Sequence, residues 1–464
     1  MMITLNRLIT GLFLILLTGA FVFYLERILF VDASFILFRI INMDSLQIQE
    51  HRYGSFITQA FPLLAARLHL PLSLIVLLYS ISFNLFYLVV AYLLVYTFRE
   101  TALALLMSFY YILFVSDAYF WTNNEVHQGI AWMFLFFAVV LSMGRKKANP
   151  FFILPVFILL AFLSIYSHPL VLFPAVFLWL FFMIRPDWPF TKKWTAVFSI
   201  ILLLICASKF YLSTGGDSYY DAEKLTSALP LSTGKIVAAF TSPMAKEIVV
   251  RSTWNYWIVP ILFFAGLYAA YKQKKYRAIA LTLSFSLAYF LAVAITFNAF
   301  IPFYTESEWM AGTIIFTALF VYYLLPGLKP NLAVWVIGGI FLVRLIYIAE
   351  ASGKWIERKE WIMARLDNMR EKNNSRAIIY ENEKNNKVLV MNWGAPTESI
   401  IASALHGDNP QKTFVVGSPE NIAQRIPAFT GQMIAPFETQ SIESLNRHYF
   451  YFDTTDAYQV LKTE

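Results

Sequence analysis

The chain has 464 residues, of which 59% are hydrophobic, 18% aromatic and only 14% charged, whereas charged residues make up roughly 25% of an ordinary soluble domain. This balance excludes a disordered protein, a soluble globular enzyme and a coiled coil, because a soluble protein of this length could not bury so much apolar surface. The bilayer is therefore the expected solvent for most of the chain. The net charge of +7 does not indicate nucleic-acid binding, because the basic residues form short clusters between apolar segments.

An apolar stretch, Leu8–Leu25, opens the chain after Arg7. No small-residue cleavage site follows it, so it predicts a retained first span rather than a signal peptide. Further apolar segments bring the prediction to about eleven transmembrane helices. Pro150–Ile184 is divided into two spans at Ser167-His168-Pro169, since proline cannot continue a helix. The further segments lie near Leu72–Thr97, Ala102–Phe120, Gly129–Met143, Pro150–Tyr166, Leu170–Ile184, Trp194–Leu212, Tyr256–Tyr271, Ala278–Phe300, Met310–Leu325 and Leu332–Ala349.

The distribution of lysine and arginine predicts the orientation. Clusters such as Arg145-Lys146-Lys147 lie on one side of the predicted spans, whereas the loops at 121–128, 167–169 and 301–309 contain no Lys or Arg. Because basic loops stay in the cytoplasm, we expect a cytoplasmic N-terminus, and an odd number of spans then places the C-terminus outside. The lack of a cleaved signal and of lipidation motifs fits a multi-pass protein of the bacterial inner (cytoplasmic) membrane with a periplasmic C-terminal domain.

Three longer segments are then extracytoplasmic: Glu26–Pro71, Ser213–Asn255 and the tail from Glu350 to Glu464. Within the first, Ile28–Met43 is apolar except for Asp32, Ser34, Arg39 and Asn42. Tyr53–His69 carries apolar residues at spacings near three and four. Both predict helices that lie in the membrane interface. The alternative for the first helix is a simple extension of span one. Because the polar residues concentrate on one face, we expect the chemistry there.

The predicted transmembrane domain covers residues 1–350, and residues 351–464 have the composition of a small extracytoplasmic α/β domain. The predicted fold class is therefore a polytopic all-α membrane protein with a C-terminal α/β domain. Neither a GxGxxG nor a Walker motif occurs, so nucleotide binding has no support. After a charged helix at Trp355–Lys372, strands are predicted at Ala377–Tyr380, Lys387–Met391, Thr413–Val416 and Tyr449–Phe452, and helices at Thr397–Leu405 and at Pro419–Arg425 with Ser418 as its cap.

Two carboxylates are the candidate catalytic residues, because ionisable groups near a membrane are costly. Asp32 lies in an apolar stretch just after the first span, where desolvation would raise its pKa and suit a general base for a hydroxyl proton. Glu125 lies in the outer connector 117–128, which offers acids, amides, a histidine and aromatic rings. The alternatives are an interfacial acid that meets water and a merely polar connector.

The same connector predicts substrate binding through Trp121, His127 and Gln128. Aromatic faces beside amide groups suit a sugar ring, while acids and a histidine suit a divalent cation or a phosphate-bearing ligand. Glu306 and Glu308 in another outer loop either help a site or begin a helix, where acids favour the dipole.

Basic residues on the outer side become candidates if the substrate carries phosphate. His51 and Arg52 lie in the first loop, and a guanidinium binds phosphate through its planar fork. His168 either contacts phosphate or caps a helix end. Lys209 and Arg344 are further candidates, with contact to lipid headgroups as the alternative. Motifs of the GxSxG and HExxH type are absent, so hydrolases of those classes have no support.

Taken together, these features resemble the GT-C superfamily of integral-membrane glycosyltransferases. Asp32-Ala-Ser-Phe-Ile-Leu-Phe-Arg39 resembles the acid and helix of the first outer loop in that family, and Glu50-His51-Arg52-Tyr53-Gly54 resembles its returning segment. Glu125 resembles the acidic site of the next outer loop. The chain departs from the pattern at Ala33, where a second acid would follow Asp32. No subfamily is assigned.

The resemblance implies a polyprenyl-phosphate-linked sugar as donor and a glycan, lipid or protein as acceptor. Asp32 would deprotonate the acceptor hydroxyl, which displaces the lipid phosphate at the anomeric carbon with inversion. Arg52 or His168 would stabilise the departing phosphate, and Glu125 would position the acceptor or hold a metal. Some relatives need a divalent cation and some do not. The tail domain would position the acceptor or seal the site.

Two other classes of function remain open. A polymerase or ligase of lipid-linked glycans would use an oligosaccharide donor and predicts a large basic outer loop, whereas Ser213–Asn255 holds only four basic residues. A transporter or assembly scaffold would not be an enzyme. A transporter predicts charges at mid-membrane depth and paired broken helices, and apart from Asn84 and the His168-Pro169 break such groups are few.

Overall fold

The computed structural model of the chain is mostly helical and has a small sheet region near the C-terminus. It describes residues 2–122, 125–214, 222–224, 229–297, 302–423, 431–453 and 456–461. The first ten helices are α1 (Met2–Val22), α2 (Tyr24–Ile28), α3 (Val31–Met43), α4 (Phe56–Arg67), α5 (Leu72–Tyr92), α6 (Thr101–Ile112), α7 (Glu125–Arg145), α8 (Pro150–Ile165), α9 (Leu172–Met183) and α10 (Lys192–Thr214).

The later helices are α11 (Thr233–Thr241), α12 (Pro243–Trp254), α13 (Ile258–Lys272), α14 (Tyr276–Thr296), α15 (Pro302–Met310), α16 (Gly312–Leu319), α17 (Pro330–Glu371), α18 (Glu383–Leu389), α19 (Ala395–His406) and α20 (Pro419–Ala423). The strands are β1 (Arg376–Tyr380), β2 (Thr413–Gly417), β3 (Gln432–Ala435), β4 (Glu438–Ser441) and β5 (Gln459–Val460). Residues 298–300, at the end of the predicted span Ala278–Phe300, lie outside the described residues, as do several residues of the predicted loop Ser213–Asn255.

Apolar helices make up most of the first 350 residues. Within the described ranges, six helices are long and apolar enough to cross a membrane, namely α1, α5, α7, α10, α14 and α17. The segment α11–α12 with α13, and α15 with α16, form pairs bent by 86° and 50°, so the number rises to eight if each pair is one span. The α6, α8 and α9 helices are apolar but shorter. A multi-pass membrane protein is confirmed, while the count of eleven spans stays a prediction.

The two helices predicted in the first outer loop are present as α3 and α4. Phe30 has an extended backbone, with φ −144° and ψ 121°, so α3 begins as a separate helix and does not extend the first span. Nine of the thirteen residues of α3 are buried, because the helix packs against α4 on one side and against α19 of the tail on another. The position of both helices in the membrane interface stays a prediction.

Helix α17 joins the spans to the tail. It runs for 42 residues without a break, so it crosses the predicted domain boundary at 350/351 as one rigid element. Trp355 holds the second half of α17 in place through two ring contacts: it packs edge-on against Phe30 of the first outer loop at 4.6 Å and stacks on Phe120 of the connector 117–128 at 5.6 Å between centroids. Lys359 donates to the carboxylate of Glu26 at 2.6 Å. The tail is therefore fixed beside the loop that carries Asp32.

The tail contains the predicted α/β elements in part. Strand β1 lies between β2 and β5 in a parallel sheet, with Ile378 opposite Val415 and Val460, while β3 and β4 form a separate antiparallel hairpin. The predicted helix Thr397–Leu405 corresponds to α19. The backbone N–H of Asn421 donates to the hydroxyl of Ser418 at 3.3 Å, so Ser418 caps α20 as expected. Residues 424 and 425 of that predicted helix lie outside the described residues.

Two of the four predicted strands are wrong. Lys387–Met391 belongs largely to helix α18, which begins where the side chain of Asn382 accepts from the N–H of Asn385 at 2.9 Å. This N-cap favours a helix more than the apolar run that follows favours a strand. Tyr449–Phe452 forms no strand. Its rings pack on the first outer loop instead: the Tyr449 hydroxyl donates to the carbonyl of Leu70 at 3.1 Å, and Phe450 lies 5.1 Å from Phe38.

Candidate functional site

A cavity of about 1250 Å³ lies where α3, the beginning of α7, α9 and α14 meet the tail. Six of the ten predicted site residues line it, although they come from four separate segments of the chain. The six are Asp32, Arg52, Trp121, Glu125, His168 and Glu308.

One wall of the cavity is formed by apolar residues of two helices. Helix α9 contributes Phe173 and Val176, and α14 contributes a stripe of residues spaced three and four apart, which places them on one helix face. That stripe consists of Phe285, Ala288, Leu291, Ala292 and Ile295. A cleft between two apolar helices offers a hydrocarbon chain the surface that it prefers over water.

Asp32 lies in the first turn of α3 at the polar end of the cavity. The indole N–H of Trp121 donates to its Oδ2 at 3.0 Å. Burial and the nearby negative charge of Glu125 raise the pKa of Asp32 to about 7, because both disfavour the ionised form. A carboxyl group with this pKa exchanges its proton readily near neutral pH, which is the property required of a general base.

Arg52 and Glu125 form an ion pair beside Asp32. The guanidinium Nη1 lies 2.9 Å from Oε2 of Glu125, and the two side chains are only 10% and 12% exposed. Glu125 is the first residue of α7, whereas Arg52 precedes a 3₁₀ turn at Tyr53–Ser55. That turn lies tightly against α8, because a Cβ on Gly54 would come within 2.3 Å of the carbonyl oxygen of Leu163. Position 54 therefore requires glycine, and this close packing fixes the turn that follows Arg52.

A second buried ion pair fixes the backbone just before Asp32. Arg358 of α17 donates to the carboxylate of Glu398 of α19 at 2.6 Å, and the side chains are 2% and 0% exposed. The other oxygen of Glu398 accepts from the backbone N–H of Val31 at 2.7 Å, and Arg358 also donates to the carbonyl of Leu29. A carboxylate at the N-terminus of α3 satisfies a free N–H and favours the helix dipole. The tail thus determines where α3 begins.

His168 occupies the break predicted at Ser167-His168-Pro169. Its Nδ1 accepts from the backbone N–H of Leu170 at 3.1 Å, so it caps the 3₁₀ turn Pro169–Val171. Burial, with the positive charge of Arg52 second, lowers its pKa well below the usual value. The ring is therefore neutral, and the acceptor role of Nδ1 leaves the proton on Nε2. His168 lines the cavity as a hydrogen-bond donor and does not supply a positive charge.

Glu306 and Glu308, two residues apart in α15, have different surroundings. Glu306 is fully engaged inside the protein, since its carboxylate accepts from the N–H groups of Ser116 and Ala118 at 2.9 and 2.6 Å and from the hydroxyl of Tyr256 at 2.5 Å. It does not line the cavity. Glu308 does, and its buried Oε2 has no hydrogen-bond partner among the described residues.

Three other predicted binding residues also lie outside the cavity lining. His51 is half-buried, and its Nδ1 lies 3.3 Å from the hydroxyl of Tyr53. His127 is buried, and its Nδ1 lies 2.7 Å from the hydroxyl oxygen of Tyr110. Gln128 donates from Nε2 to the hydroxyl of Thr58 at 2.8 Å. Because residues on a helix turn by about 100° each, Glu125 can face the cavity while His127 and Gln128 face neighbouring helices.

Lys209 and Arg344 donate hydrogen bonds to backbone carbonyls within the protein. Lys209 donates to the carbonyl of Glu50 at 3.1 Å. Arg344 donates to the carbonyl of Ile112, the last residue of α6, at 3.0 Å and to the carbonyl of Val115 just beyond it at 2.8 Å. The last carbonyls of a helix have no partner within the helix. Neither residue lines the cavity.

The cavity also contains residues that were not predicted as site residues. Phe35 and Arg39 follow Asp32 at spacings of three and seven in α3 and line the same cavity, so helical periodicity was the signal that could have found them. Lys224 adds a positive charge. Trp393 and Phe437 come from the tail, and their approach depends on tertiary packing that no local pattern encodes.

The described residues contain no group of three or more His, Cys, Asp and Glu side chains arranged to hold a metal ion. Asp32 and Glu125 supply two carboxylates to the cavity, but Glu125 is paired with Arg52. Asp117, the other acid of the outer connector, is paired with Lys354 of α17. Both acids of the outer connector thus have basic partners on neighbouring elements.

The chain matches no protein-family model, no curated protein and no solved structure. Its function is therefore inferred from the cavity and its residues.

Proposed function

We propose that the protein is a GT-C-type membrane glycosyltransferase that moves a sugar from a polyprenyl-phosphate-linked donor to an extracytoplasmic acceptor. The observation that carries the proposal is the cavity, which combines a carboxyl group whose pKa is about 7 with a basic side chain and a long apolar wall. A lipid-linked sugar has one part that suits each of these features: a hydrocarbon chain for the apolar wall, a phosphate for the basic side chain and a sugar to lie beside the carboxyl group.

In the proposed reaction Asp32 takes the proton of an acceptor hydroxyl. The oxygen attacks the anomeric carbon of the donor sugar, a new glycosidic bond forms, and the bond from that carbon to the phosphate oxygen breaks with inversion. Trp121 orients the carboxylate through its indole N–H. A pKa close to neutrality leaves Asp32 both partly ionised and basic enough to accept the proton.

The departing polyprenyl phosphate carries the negative charge that develops in the transition state. Arg52 and Lys224 line the cavity and supply positive charge, and Nε2 of neutral His168 supplies a hydrogen bond. Preformed donors in a site shielded from water stabilise such charge strongly. Glu125 holds Arg52 in place through their ion pair. The α9–α14 wall receives the hydrocarbon chain.

The topology that fits this function has eleven crossings, obtained if both bent pairs and the three shorter apolar helices each cross the membrane. With a cytoplasmic N-terminus, the cavity and the tail then face the periplasm of a bacterial inner membrane. The lipid donor reaches the cavity sideways between α9 and α14, and the acceptor reaches it from the aqueous side.

The test is a profile of glycans and lipid-linked sugars in a deletion strain. The strain is complemented with wild type, Asp32→Asn or Asp44→Asn at matched membrane levels. Asp44 is the matched control, because it lies at the other end of α3, pairs with Arg67 on the surface and does not line the cavity. We expect the deletion to remove one sugar from a glycan and to accumulate a polyprenyl-phosphate sugar.

Wild type and Asp44→Asn should restore the profile, and Asp32→Asn should not. Full restoration by Asp32→Asn would show that Asp32 is not the base. An accumulating lipid-linked oligosaccharide would instead favour a polymerase or ligase, and an unchanged profile in the deletion would move the assignment towards a transporter or scaffold.

A further inference from the structure

Three aromatic rings meet at the end of the cavity that faces the tail. Trp393 lies 5.1 Å from Phe437, and Phe35 of α3 lies 6.0 and 5.7 Å from these two rings. All three line the same cavity as Asp32. We call this cluster the aromatic platform.

The backbone of Phe437 is unusual for such a residue. Pro436 and Phe437 form the two-residue turn between β3 and β4, and Phe437 has φ +66°. A turn with proline at its first central position and positive φ at its second normally places glycine or asparagine second, because a Cβ is strained there. Phe437 is nevertheless a large apolar residue with 79% of its surface exposed. Neither turn formation nor burial accounts for this ring, and strained residues of this kind concentrate at ligand sites.

Helix α3 connects the aromatic platform to Asp32. Asp32, Phe35 and Arg39 all line the cavity, and their spacing of three and four puts them on one helix face. The seven residues from Asp32 to Arg39 rise about 10 Å along the helix. A ligand seated on the platform can therefore extend to the carboxylate along one continuous surface.

Charged groups border the aromatic platform. Arg39 lies over the ring of Phe35 at 5.4 Å, and its buried Nε has no hydrogen-bond partner in the part of the chain that the structure describes. Glu438 follows Phe437 and also lines the cavity. The α9–α14 wall has no such charges among its residues. A hydrocarbon chain prefers the wall, whereas a ligand with an apolar face and a polar edge prefers the platform.

A pyranose ring has this chemistry, because its axial C–H groups form an apolar face and its hydroxyls lie around the edge. We propose that the aromatic platform binds a pyranose ring of a saccharide acceptor, with Arg39 and Glu438 bonded to its hydroxyls. This inference rests on the proposed function and narrows it, since it selects a glycan among the acceptor classes and assigns its recognition to the tail.

The test is saturation-transfer NMR on the full-length protein in phospholipid nanodiscs, which avoids sugar-based detergents. The probes are the methyl pyranosides of glucose, galactose, mannose and N-acetylglucosamine. We expect saturation of the ring-face protons of at least one probe by wild type, and at least a tenfold weaker effect with Phe437→Gly and Trp393→Ala.

Phe437→Gly separates recognition from folding. Glycine adopts positive φ without strain, so this variant should melt at or above the wild-type temperature while it loses the sugar signal. Tyr451→Ala is the control, because Tyr451 is a half-exposed aromatic residue of the tail that does not line the cavity. It should keep the signal.

Equal saturation by wild type and Phe437→Gly, or no saturation of any probe by wild type, would overturn the proposal. Asp32→Asn should keep the sugar signal, since Asp32 is not part of the aromatic platform. If the signal depends on Phe437 but the deletion strain shows no change in its glycans, the saccharide site stands and the transferase assignment fails. If the glycan profile depends on Asp32 but no probe binds, the transferase assignment stands and the saccharide site fails.

Discussion

Arg27 and Arg52 are both buried arginines of the first outer loop, yet their surroundings differ. Arg27 donates to the hydroxyl of Ser80, the carbonyl of Tyr119 and the side-chain oxygen of Asn84 at 3.1, 2.6 and 2.7 Å. The void beside it has a volume of only about 30 Å³. Arg52 is held by Glu125 at the wall of a cavity of about 1250 Å³.

Burial of a charged group near the membrane therefore does not by itself identify a functional residue. Glu306 and Glu308 repeat the contrast within one helix, because the first accepts three internal hydrogen bonds and the second faces the cavity. In this protein, access to the cavity separates a group that can meet substrate from a group that fastens helices together.

The largest expected effect on stability comes from a residue that holds helices together and does not line the cavity. Glu398→Ala should lower the free energy of unfolding by about 3–5 kcal/mol, because it leaves the charge of Arg358 buried without its partner. Thermal unfolding of the purified protein measures the loss. Glu443→Ala removes an exposed carboxylate of the tail and should change stability little. Equal melting temperatures for the two variants would contradict the role of the Arg358–Glu398 pair.

Arg27→Met and Arg52→Met test the two arginines directly. Arg27→Met should cost about 2–3 kcal/mol of stability, because several buried acceptors lose a charged donor at once. Arg52→Met should cost less, since water in the cavity can solvate Glu125, but it should slow sugar transfer. Melting temperature and transfer rate, measured on both variants, give the comparison. A greater loss of stability in Arg52→Met would reverse our assignment of the two sites.

The two glutamates of α15 offer a matched pair. Glu306→Gln should cost about 1–3 kcal/mol, because the amide presents its NH₂ group to donors that need an acceptor. Glu308→Gln should leave stability nearly unchanged, because Oε2 of Glu308 has no hydrogen-bond partner among the described residues, and it should reduce transfer by about tenfold at most, the effect of losing one hydrogen bond to the substrate. If Glu308→Gln unfolds the protein and keeps the rate per folded molecule, Glu308 belongs with the structural residues.

The pH dependence of transfer reports on Asp32. The pKa of this carboxyl is raised to about 7, and a base acts in its deprotonated form, so the rate should rise about tenfold per pH unit below 7 and level off above it. Asp44→Asn should keep this profile, and Asp32→Glu should shift its midpoint. A rate that is flat from pH 5 to pH 8 would exclude Asp32 as the titrating base.

The smallest effect is expected for His51→Ala. His51 is half-buried beside Tyr53 and lies outside the cavity lining. Its substitution touches no buried polar network, so transfer and stability should both stay within about 0.5 kcal/mol of wild type. A clear loss of transfer would mean that the first outer loop closes over the substrate, which would bring His51 into the site.

Composition and periodicity were sufficient to predict the membrane class, the two helices of the first outer loop and the two long strands of the tail. They failed where tertiary contacts override a local pattern. Tyr449–Phe452 has the composition of a strand, but its rings find partners on α3 and α4. Lys387–Met391 reads as apolar, but Asn382 begins a helix before it.

The candidate site shows the same limit. Sequence position beside a span predicted Asp32 and Glu125, which both line the cavity, because the cost of a carboxylate there is a local property. The side on which a residue of α7 faces depends on helix packing, so His127 and Gln128 could not be separated from Glu125. The contribution of Trp393 and Phe437 required the tail to fold back on α3, because these residues lie 361 and 405 positions after Asp32 in the sequence.

The most direct test of the central claim is a transfer assay with purified protein in liposomes. The donor is the labelled polyprenyl-phosphate sugar that accumulates in the deletion strain, and membranes of that strain supply the acceptor. We predict that wild type and Asp44→Asn transfer the label at equal rates and that Asp32→Asn is slower by about 10²–10⁴-fold, the usual contribution of a general base. Transfer by Asp32→Asn at the wild-type rate would contradict the account.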